Sequence, residues 1–287
     1  MKHNTRFRTF STSLVWVWLG IFVLIPSFLL FATSLLVQGD SELVRLQPTL
    51  HNYLRLLDLN YLRVFLRSGL LAGTCTLGCL ILGYPFSYLL ARMPDRYKGF
   101  LLLLVIIPFW TSSLIRSYAI VMILKTHGIL NSFLMWTGMI KVPVQFLYTQ
   151  SATLIGLIYT LLPLMILPLY ASIEKLDFRL IDAARDLGAK KYQIFFKVLL
   201  PLTLPGILAG CILVLLPAMT LFYIPDLLGG AKTVLIGNII QNQFLGARDW
   251  PMGATISVAL TLLMGMALFV YWRFYHQHRH EYAYEQN

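Results

Sequence analysis

Five side chains in the apolar stretches of this sequence could together attract a cation. Asp226 carries one of the few carboxylates found there, and Phe222 and Tyr223 precede it. Trp110 and Tyr118 lie eight residues apart on an earlier stretch, on roughly the same face of a helix. Aromatic faces and carboxylates attract ammonium groups, by about 0.5–2 kcal/mol for an aromatic face. We therefore predict a cation pathway lined by these residues; the alternative is ordinary packing aromatics and an interfacial loop carboxylate.

A positive charge shares the stretch that contains Trp110. Arg116 lies roughly 25 Å along that helix, at 1.5 Å per residue, and so near its outer end. A guanidinium beside a cation pathway would repel the solute. We therefore predict a structural role for Arg116, in which it pairs with Asp226 or with a loop carbonyl.

The elements that must position these residues are membrane-spanning helices. The 287 residues are 58% hydrophobic and 12% charged, and a bilayer core of about 30 Å needs roughly 20 apolar residues. Because the apolar runs are continuous, a β-barrel is excluded. The sequence predicts an all-α integral membrane protein with one domain over residues 1–287. Its six predicted spans are 14–37, 68–91, 99–124, 151–172, 201–224 and 252–273.

The placement of the basic residues indicates the orientation. The net charge of +11 could suggest a nucleic-acid partner, but most of the 23 Lys and Arg residues lie on the side of the membrane that holds the N-terminus. By the positive-inside rule, both termini are then cytoplasmic. Arg45, Arg55, Arg63 and Arg67 weaken this bias, because they crowd the first outer loop.

The polar loop over residues 173–200 has the pattern of two short helices joined at a glycine. Asp177 can cap the first helix, and Gly188 can end it in the left-handed conformation that glycine adopts freely. A second helix is predicted over 190–198, before Pro201 enters the first turn of the fifth span. Apolar residues recur along one face of the first helix at Leu180, Ile181, Ala184 and Leu187.

Small and charged side chains surround the middle of this loop. Ala183 and Ala184 leave room for another backbone, and charges of both signs border them at Arg179, Asp182, Arg185 and Asp186. Two interpretations are open from spacing alone. The helix could insert into the groove of a partner protein, or it could lie on the inner surface of the bilayer.

A resemblance favours the partner protein. Asp182, Ala183, Ala184 and Gly188, followed by Val198, Leu200 and Pro201, resemble the E-A-A-x(3)-G-x(9)-I-x-L-P loop of bacterial ABC importer permeases, with Asp for Glu and Val for Ile. In that family the loop is a coupling helix that docks on a cytoplasmic ATPase. The resemblance implies an ATPase-coupling role for Asp182, Ala183, Ala184, Arg185, Asp186, Gly188 and Pro201.

Longer strings are similar to B-type permeases of spermidine/putrescine importers, which have the MetI-like fold. The strings are Leu82–Pro94, Pro108–Ala119, Leu167–Asp177, Leu215–Gly230 and Phe244–Thr255. The resemblance implies a bacterial inner-membrane subunit that forms half of a polyamine pathway. It implies three partners besides lipid: a C-type sister permease, a homodimeric ATPase and a periplasmic polyamine-binding protein.

Catalytic and cofactor motifs are missing from the sequence. The nearest approach to a phosphate-binding loop, GGAKT at 229–233, has alanine in place of the glycine before the lysine. Cys75 and Cys79 lie one turn apart without a third ligand nearby, which favours packing residues over a metal site. We predict a non-enzymatic subunit that binds no cofactor, with ATP and Mg²⁺ used by the partner. The alternatives are a permease for another organic cation or small solute, a secondary transporter, or a membrane enzyme.

Overall fold

The computed structural model describes residues 5–39, 43–230 and 233–284. Contacts group the chain into two compact units. One unit comprises Met1–Leu62 and Ile239–Gly265, and the other comprises Arg63–Asn238 and Met266–Asn287. The single membrane domain over residues 1–287 stays a prediction.

Nearly all regular structure is helical. The α-helices are α1 Thr5–Leu19, α2 Ile25–Ser34, α3 His51–Leu56, α4 Leu59–Ala91, α5 Asp95–Trp110, α6 Ser113–Leu124, α7 Ile129–Trp136, α8 Gln150–Glu174, α9 Arg179–Asp186, α10 Lys191–Ile194, α11 Leu200–Thr220, α12 Ile236–Gln241 and α13 Trp250–Tyr284. Wider, π-helical turns occupy Gly20–Leu24, Phe195–Leu199, Pro225–Gly229 and Asn242–Gly246. Two short antiparallel strands, β1 Leu36–Val37 and β2 Arg45–Pro48, pair with each other.

Within the residues that the structure describes, six helical segments are long and apolar enough to cross a membrane, which confirms the predicted number of spans. They are Thr12–Ser34, Leu59–Ala91, Ser113–Trp136, Gln150–Glu174, Lys191–Thr220 and Trp250–Arg273.

The third span differs from the prediction, because residues 99–124 are not one helix. The chain breaks between α5 and α6 at Thr111, whose backbone is extended at φ −90° and ψ 147°. Pro108 has no N–H to donate within the helix. At the end of the helix, the Pro108 carbonyl accepts hydrogen bonds from the Thr111 N–H at 3.3 Å and from the Thr111 hydroxyl at 2.8 Å. With 16 residues, α5 falls short of a full span. By length and hydropathy, the candidate span of this region is Ser113–Trp136, which includes α6, the turn that follows it and α7.

Close packing of α8 against α11 forms the centre of the larger unit. A Cβ built on Gly206 would lie 2.4 Å from the Ser172 Cβ and 2.8 Å from the Pro168 carbonyl oxygen. At Gly210 it would lie 2.6 Å from the Met165 sulfur. The two backbones approach this closely only because glycine has no side chain. Small residues at such contacts are typical of helix packing in membranes.

Helix α4 packs on the same two helices and adds polar contacts. The Ser87 hydroxyl donates to the Ile166 carbonyl of α8 at 3.2 Å. The Tyr84 and Thr203 hydroxyls, on α4 and α11, are 3.0 Å apart. All three hydroxyl-bearing residues are buried, so these bonds satisfy polar groups that the interior cannot solvate.

In the smaller unit, a buried carboxylate holds the start of α13. The Asp249 side chain is only 6% exposed and accepts a hydrogen bond from Arg55 at 3.0 Å. Its other oxygen accepts from the Met252 N–H in the first turn of α13. One of the arginines that crowd the first outer loop therefore has a structural partner.

Substituting Gly206 tests the close approach of α8 and α11. We expect Gly206→Ala to lower the free energy of unfolding by about 1–3 kcal/mol, because the added methyl overlaps Ser172 and the Pro168 carbonyl. Gly73→Ala is the matched control, since a Cβ there meets nothing within 4 Å. It should be neutral or stabilising by up to about 1 kcal/mol, through helix propensity. Thermal unfolding in detergent measures both, and equal losses at the two glycines would contradict this packing.

Candidate functional site

The loop between α8 and α11 has the predicted glycine corner. The Asp177 carboxylate accepts a hydrogen bond from the Arg179 N–H at 3.0 Å, although the residue at the N-cap position of α9 is Phe178. After α9 the backbone turns at Gly188, where φ is +79°. The Gly188 N–H donates to the Arg185 carbonyl, and the Ala189 N–H donates to the Ala184 carbonyl. These bonds end the helix, and the corner predicted from the sequence is confirmed.

The apolar residues of α9 divide between two faces, which corrects the prediction of a single face. Ile181 is buried at 5% exposure. Leu180 and Leu187 point away from the fold, at 49% and 88% exposure. With Ala183 between them, they form an exposed stripe at positions i, i+3 and i+7. The sequence pattern had placed both leucines on the same face as Ile181 and Ala184.

Charges border this exposed stripe. Arg185 and Asp182 form an ion pair at 3.0 Å, with both side chains more than half exposed. Asp186 is also exposed, one position after Arg185. The segment therefore presents a small apolar surface with a charged edge. That combination is typical of a surface that another protein covers.

The second half of the loop differs from the prediction. A separate helix was predicted over 190–198, but α10, the π-helical turn and α11 run continuously from Lys191 to Thr220. The Leu200 N–H donates to the Phe195 carbonyl. This five-residue spacing is that of a π-helical turn, and it continues the helical hydrogen bonding up to Pro201. Pro201 lies in the first turn of α11, as predicted. The coupling roles inferred for Asp182 to Pro201 stay predictions.

Three of the five predicted cation-binding residues lie at a break after α11. Helix α11 ends at Thr220, and the chain then forms the turn Pro225–Gly229, which packs against α6 and α8. Ile224 and Leu228 are fully buried, and both lie against Gly156 of α8. The Tyr148 N–H donates to the Leu228 carbonyl at 2.8 Å. One side of this turn is thus fixed in the fold.

The other side of the turn is accessible. Phe222 and Asp226 are exposed, and the rings of Phe222 and Tyr223 meet edge to face, with centroids 6.0 Å apart. The structure therefore brings together three of the five predicted pathway residues. The Asp226 carboxylate accepts a hydrogen bond from the Asn238 side chain at 2.5 Å, and its second oxygen has no such bond in the part of the chain that is described.

Asn238 is a site residue that sequence reasoning missed. Its amide nitrogen also donates to the Phe222 carbonyl at 2.9 Å, and its oxygen accepts from the Leu235 N–H at 3.0 Å. The approach is possible because Gly237 lies against the Thr220 carbonyl, where a Cβ would be only 2.2 Å away. No local pattern links Asn238 to Asp226, twelve residues earlier.

Arg116 does not make the predicted pair with Asp226. Its Nε and Nη1 are buried and have no hydrogen-bond partner among the described residues, whereas Asp226 accepts a hydrogen bond from Asn238. The sequence could not indicate that α12 returns to this turn and supplies Asn238 as the partner of Asp226. The alternative partner, a loop carbonyl, stays a prediction. A structural role for Arg116 stays a prediction.

The two remaining predicted pathway residues are also exposed and lie on two other helices, α5 and α6. Trp110 ends α5 next to the Thr111 break and is 78% exposed. Tyr118 lies on α6, the helix against which the Pro225–Gly229 turn packs, and is also exposed. Neither ring stacks on another aromatic ring within the described residues. Their part in a pathway stays a prediction.

Metal ligands do not cluster in the described part of the chain, where no group of three or more His, Cys, Asp or Glu side chains could hold an ion. Cys75 and Cys79 are buried and unpaired. In the GGAKT string, Ala231 and Lys232 lie outside the described residues.

Comparison with known proteins agrees with the resemblance drawn from the sequence. The profile of the family described as binding-protein-dependent transport system inner membrane component matches residues 83–280. The spermidine/putrescine transport system permease protein PotB of Escherichia coli (strain K12) is 54% identical over 256 residues, 89% of this chain and 93% of that protein. PotB of Salmonella typhimurium (strain SL1344) is 51% identical over 273 residues, 95% of each chain.

A solved structure has the same fold. It is the crystal structure of a bacterial alginate ABC transporter in complex with alginate pentasaccharide-bound periplasmic protein, in which one chain matches with a TM-score of 0.73. The match covers 93% of both chains at 16% sequence identity. At this identity the likeness concerns the fold alone, and it confirms the predicted fold class.

Removing the Asn238 side chain should loosen the Asp226 turn. We expect Asn238→Ala to speed amide hydrogen exchange over residues 221–229 roughly five- to thirtyfold, because two hydrogen bonds worth about 1 kcal/mol each are lost. Asn131→Ala is the matched control, since Asn131 makes equivalent bonds to Val144 in another loop. Its effect should be confined to that loop. Unchanged exchange over 221–229 in the Asn238 variant would show that the turn is held without it.

Proposed function

The chain belongs to the family of binding-protein-dependent transport system inner membrane components, and from this premise we propose that it is a permease subunit of a spermidine/putrescine ABC importer. The observation that carries the proposal is the 54% identity to PotB of Escherichia coli over 89% of the chain. The protein is a multi-pass inner-membrane protein with six apolar spanning helices. It forms one half of a pathway through which polyamines cross the membrane.

The energy for transport comes from another subunit. The family consists of transport components, and the sequence has no intact phosphate-binding loop. This chain binds no cofactor of its own, and a homodimeric cytoplasmic ATPase binds and hydrolyses ATP with Mg²⁺. A C-type sister permease completes the pathway, and a periplasmic polyamine-binding protein delivers the substrate. Membrane lipid surrounds the exposed apolar helices.

In the proposed orientation, α9 faces the ATPase. The excess of basic residues on the N-terminal side supports cytoplasmic termini and a cytoplasmic loop over residues 173–200. The stripe of Leu180, Ala183 and Leu187 docks in a groove of the ATPase. The Asp182–Arg185 pair and Asp186 border that contact, and Gly188 sets the angle at which α9 meets the rest of the loop.

The Asp226 turn contributes a cation-binding point to the pathway. A carboxylate next to two aromatic rings suits an ammonium group, and one oxygen of Asp226 is engaged by Asn238 while the other is left for substrate. Trp110 and Tyr118 supply further aromatic faces along the route. Arg116 serves as a structural charge away from the substrate.

Reconstitution of the four components in vesicles tests the proposal. ATP-dependent uptake of labelled spermidine and putrescine should require the binding protein and this chain. Uptake of unrelated organic cations at an equal rate would favour the broader assignment of a general cation importer. Uptake without the ATPase would indicate a secondary transporter and refute the proposal.

Asp226→Asn should raise the KM for polyamine uptake roughly 10- to 100-fold, because a charge-assisted contact worth about 1.5–3 kcal/mol is removed. The turn should keep its fold, since asparagine can still accept the hydrogen bond from Asn238. Asp58→Asn, at another exposed aspartate, is the control and should leave KM unchanged. Equal KM values in the Asp226 variant and the wild type would remove Asp226 from the pathway.

Gly188→Val should raise the number of ATP molecules hydrolysed for each polyamine imported. A β-branched residue resists a φ of +79°, at a cost of about 1–2 kcal/mol, although a Cβ there meets no other atom. Gly188→Asn should stay near the wild-type ratio, because asparagine tolerates this conformation. Gly138→Val introduces the same strain outside the loop and should not alter the ratio. An unaltered ratio in Gly188→Val would show that the corner plays no part in coupling.

A further inference from the structure

The tight turn between α4 and α5 contacts the first residues of the loop over 173–200, which we call the coupling loop, at two points. The turn runs from Arg92 to Lys98, and the base of the loop runs from Glu174, the last residue of α8, to Phe178, which precedes α9. Contacts join Arg92 to Phe178 and Lys98 to Glu174. We refer to these two contacts together as the clasp.

The first contact of the clasp is a cation between two rings. The Arg92 guanidinium lies 5.6 Å from the centre of the Phe178 ring and 5.5 Å from that of Tyr88. It also donates a hydrogen bond to the Tyr88 hydroxyl at 3.1 Å. The two rings themselves meet edge to face, with centroids 6.5 Å apart. The end of α4 is thereby joined to Phe178, the residue that precedes α9.

The second contact is an ion-pair network. The Lys98 ammonium lies 2.9 Å from Asp95 and 3.7 Å from Glu174, and Tyr170 donates a hydrogen bond to the same Glu174 carboxylate. The hydrogen bond to Asp95 raises the pKa of Lys98 above its ordinary value, because it stabilises the charged ammonium. The first turn of α5 is thus joined to the last turn of α8.

The first contact connects α9 to the turn through the Phe178 backbone. The Phe178 carbonyl accepts the Ile181 N–H at the start of α9, so a shift of α9 moves the Phe178 backbone and pulls on Arg92. The same turn carries Lys98 and begins α5, which extends 16 residues to Trp110. At 1.5 Å per residue, α5 is about 24 Å long. A movement of its first turn could therefore be transmitted to Trp110 at its other end.

We propose that the clasp transmits movement of the coupling helix α9 into α4 and α5, with Arg92 and Phe178 as positioning residues for coupling. This inference rests on the proposed importer function, because it needs an ATPase that moves α9. The clasp residues are distinct from the residues proposed above to contact the substrate and the ATPase. The effect of the clasp should therefore be seen in the stoichiometry of transport rather than in either binding step.

The test uses the complete importer in vesicles and measures ATP hydrolysed for each polyamine imported. Arg92→Gln and Phe178→Leu should each raise this ratio roughly two- to fivefold, the factor that an exposed cation–π contact is worth. Phe178→Trp keeps an aromatic face and should restore coupling. Arg96→Gln is the matched control, because Arg96 lies in the same turn but stacks on Tyr97. Its ratio should equal that of the wild type.

A second measurement tests the clasp independently of the proposed polyamine substrate. Trapping the ATPase with ATP and vanadate should change amide hydrogen exchange over residues 95–110 in the wild-type complex. That change should be lost in Phe178→Leu and retained in Phe178→Trp. If the wild-type complex imports no polyamine, the proposed function fails while this exchange experiment still decides the clasp. Wild-type coupling and wild-type exchange in both Arg92→Gln and Phe178→Leu would overturn the clasp.

Discussion

Close packing of α8 against its neighbours is the constraint on which the rest of the larger unit depends. A bilayer offers no hydrophobic gain for joining two apolar helices, so dispersion contacts and short-range polar contacts must hold them together. The glycines opposite α8 make this possible: Gly206 and Gly210 face it from α11. Its own Gly156 receives Leu228 at one end, and its last residue, Glu174, meets Lys98 at the other. Both candidate functional regions are therefore anchored on one helix.

Breaks in two helices create the exposed polar positions near the candidate pathway. Each break follows a proline inside a helix, Pro108 in α5 and Pro217 in α11. Backbone groups freed in an apolar environment must find other partners. Thr111 bonds the carbonyl of Pro108 at the first break, and Asn238 bonds the carbonyl of Phe222 after the second. The same side chain that satisfies the second break also orients Asp226, so one residue serves the fold and the site together.

Local rules account for the parts of this structure that could be predicted from the sequence. Six spans follow from run length, and the corner at Gly188 follows from the conformational freedom of glycine. At the candidate site, the failures concern contacts between distant residues. The partner of Asp226 comes from Asn238, beyond a loop, and nothing in the spacing indicates it. Likewise, Ile181 and Leu180 are adjacent and equally apolar, and only the packing of α9 decides that one is buried and the other exposed.

The balance of forces on α9 indicates which residues would supply affinity for the ATPase and which would supply specificity. The Asp182–Arg185 pair is more than half exposed, and such pairs contribute only about 0–1 kcal/mol. Burial of Leu187, now 88% exposed, would contribute about 1.5–3 kcal/mol. On the proposed function, the apolar stripe therefore holds the partner and the charged edge selects the orientation in which it docks. A small alanine between the two leucines then matters because it lets the partner approach closely enough to bury both.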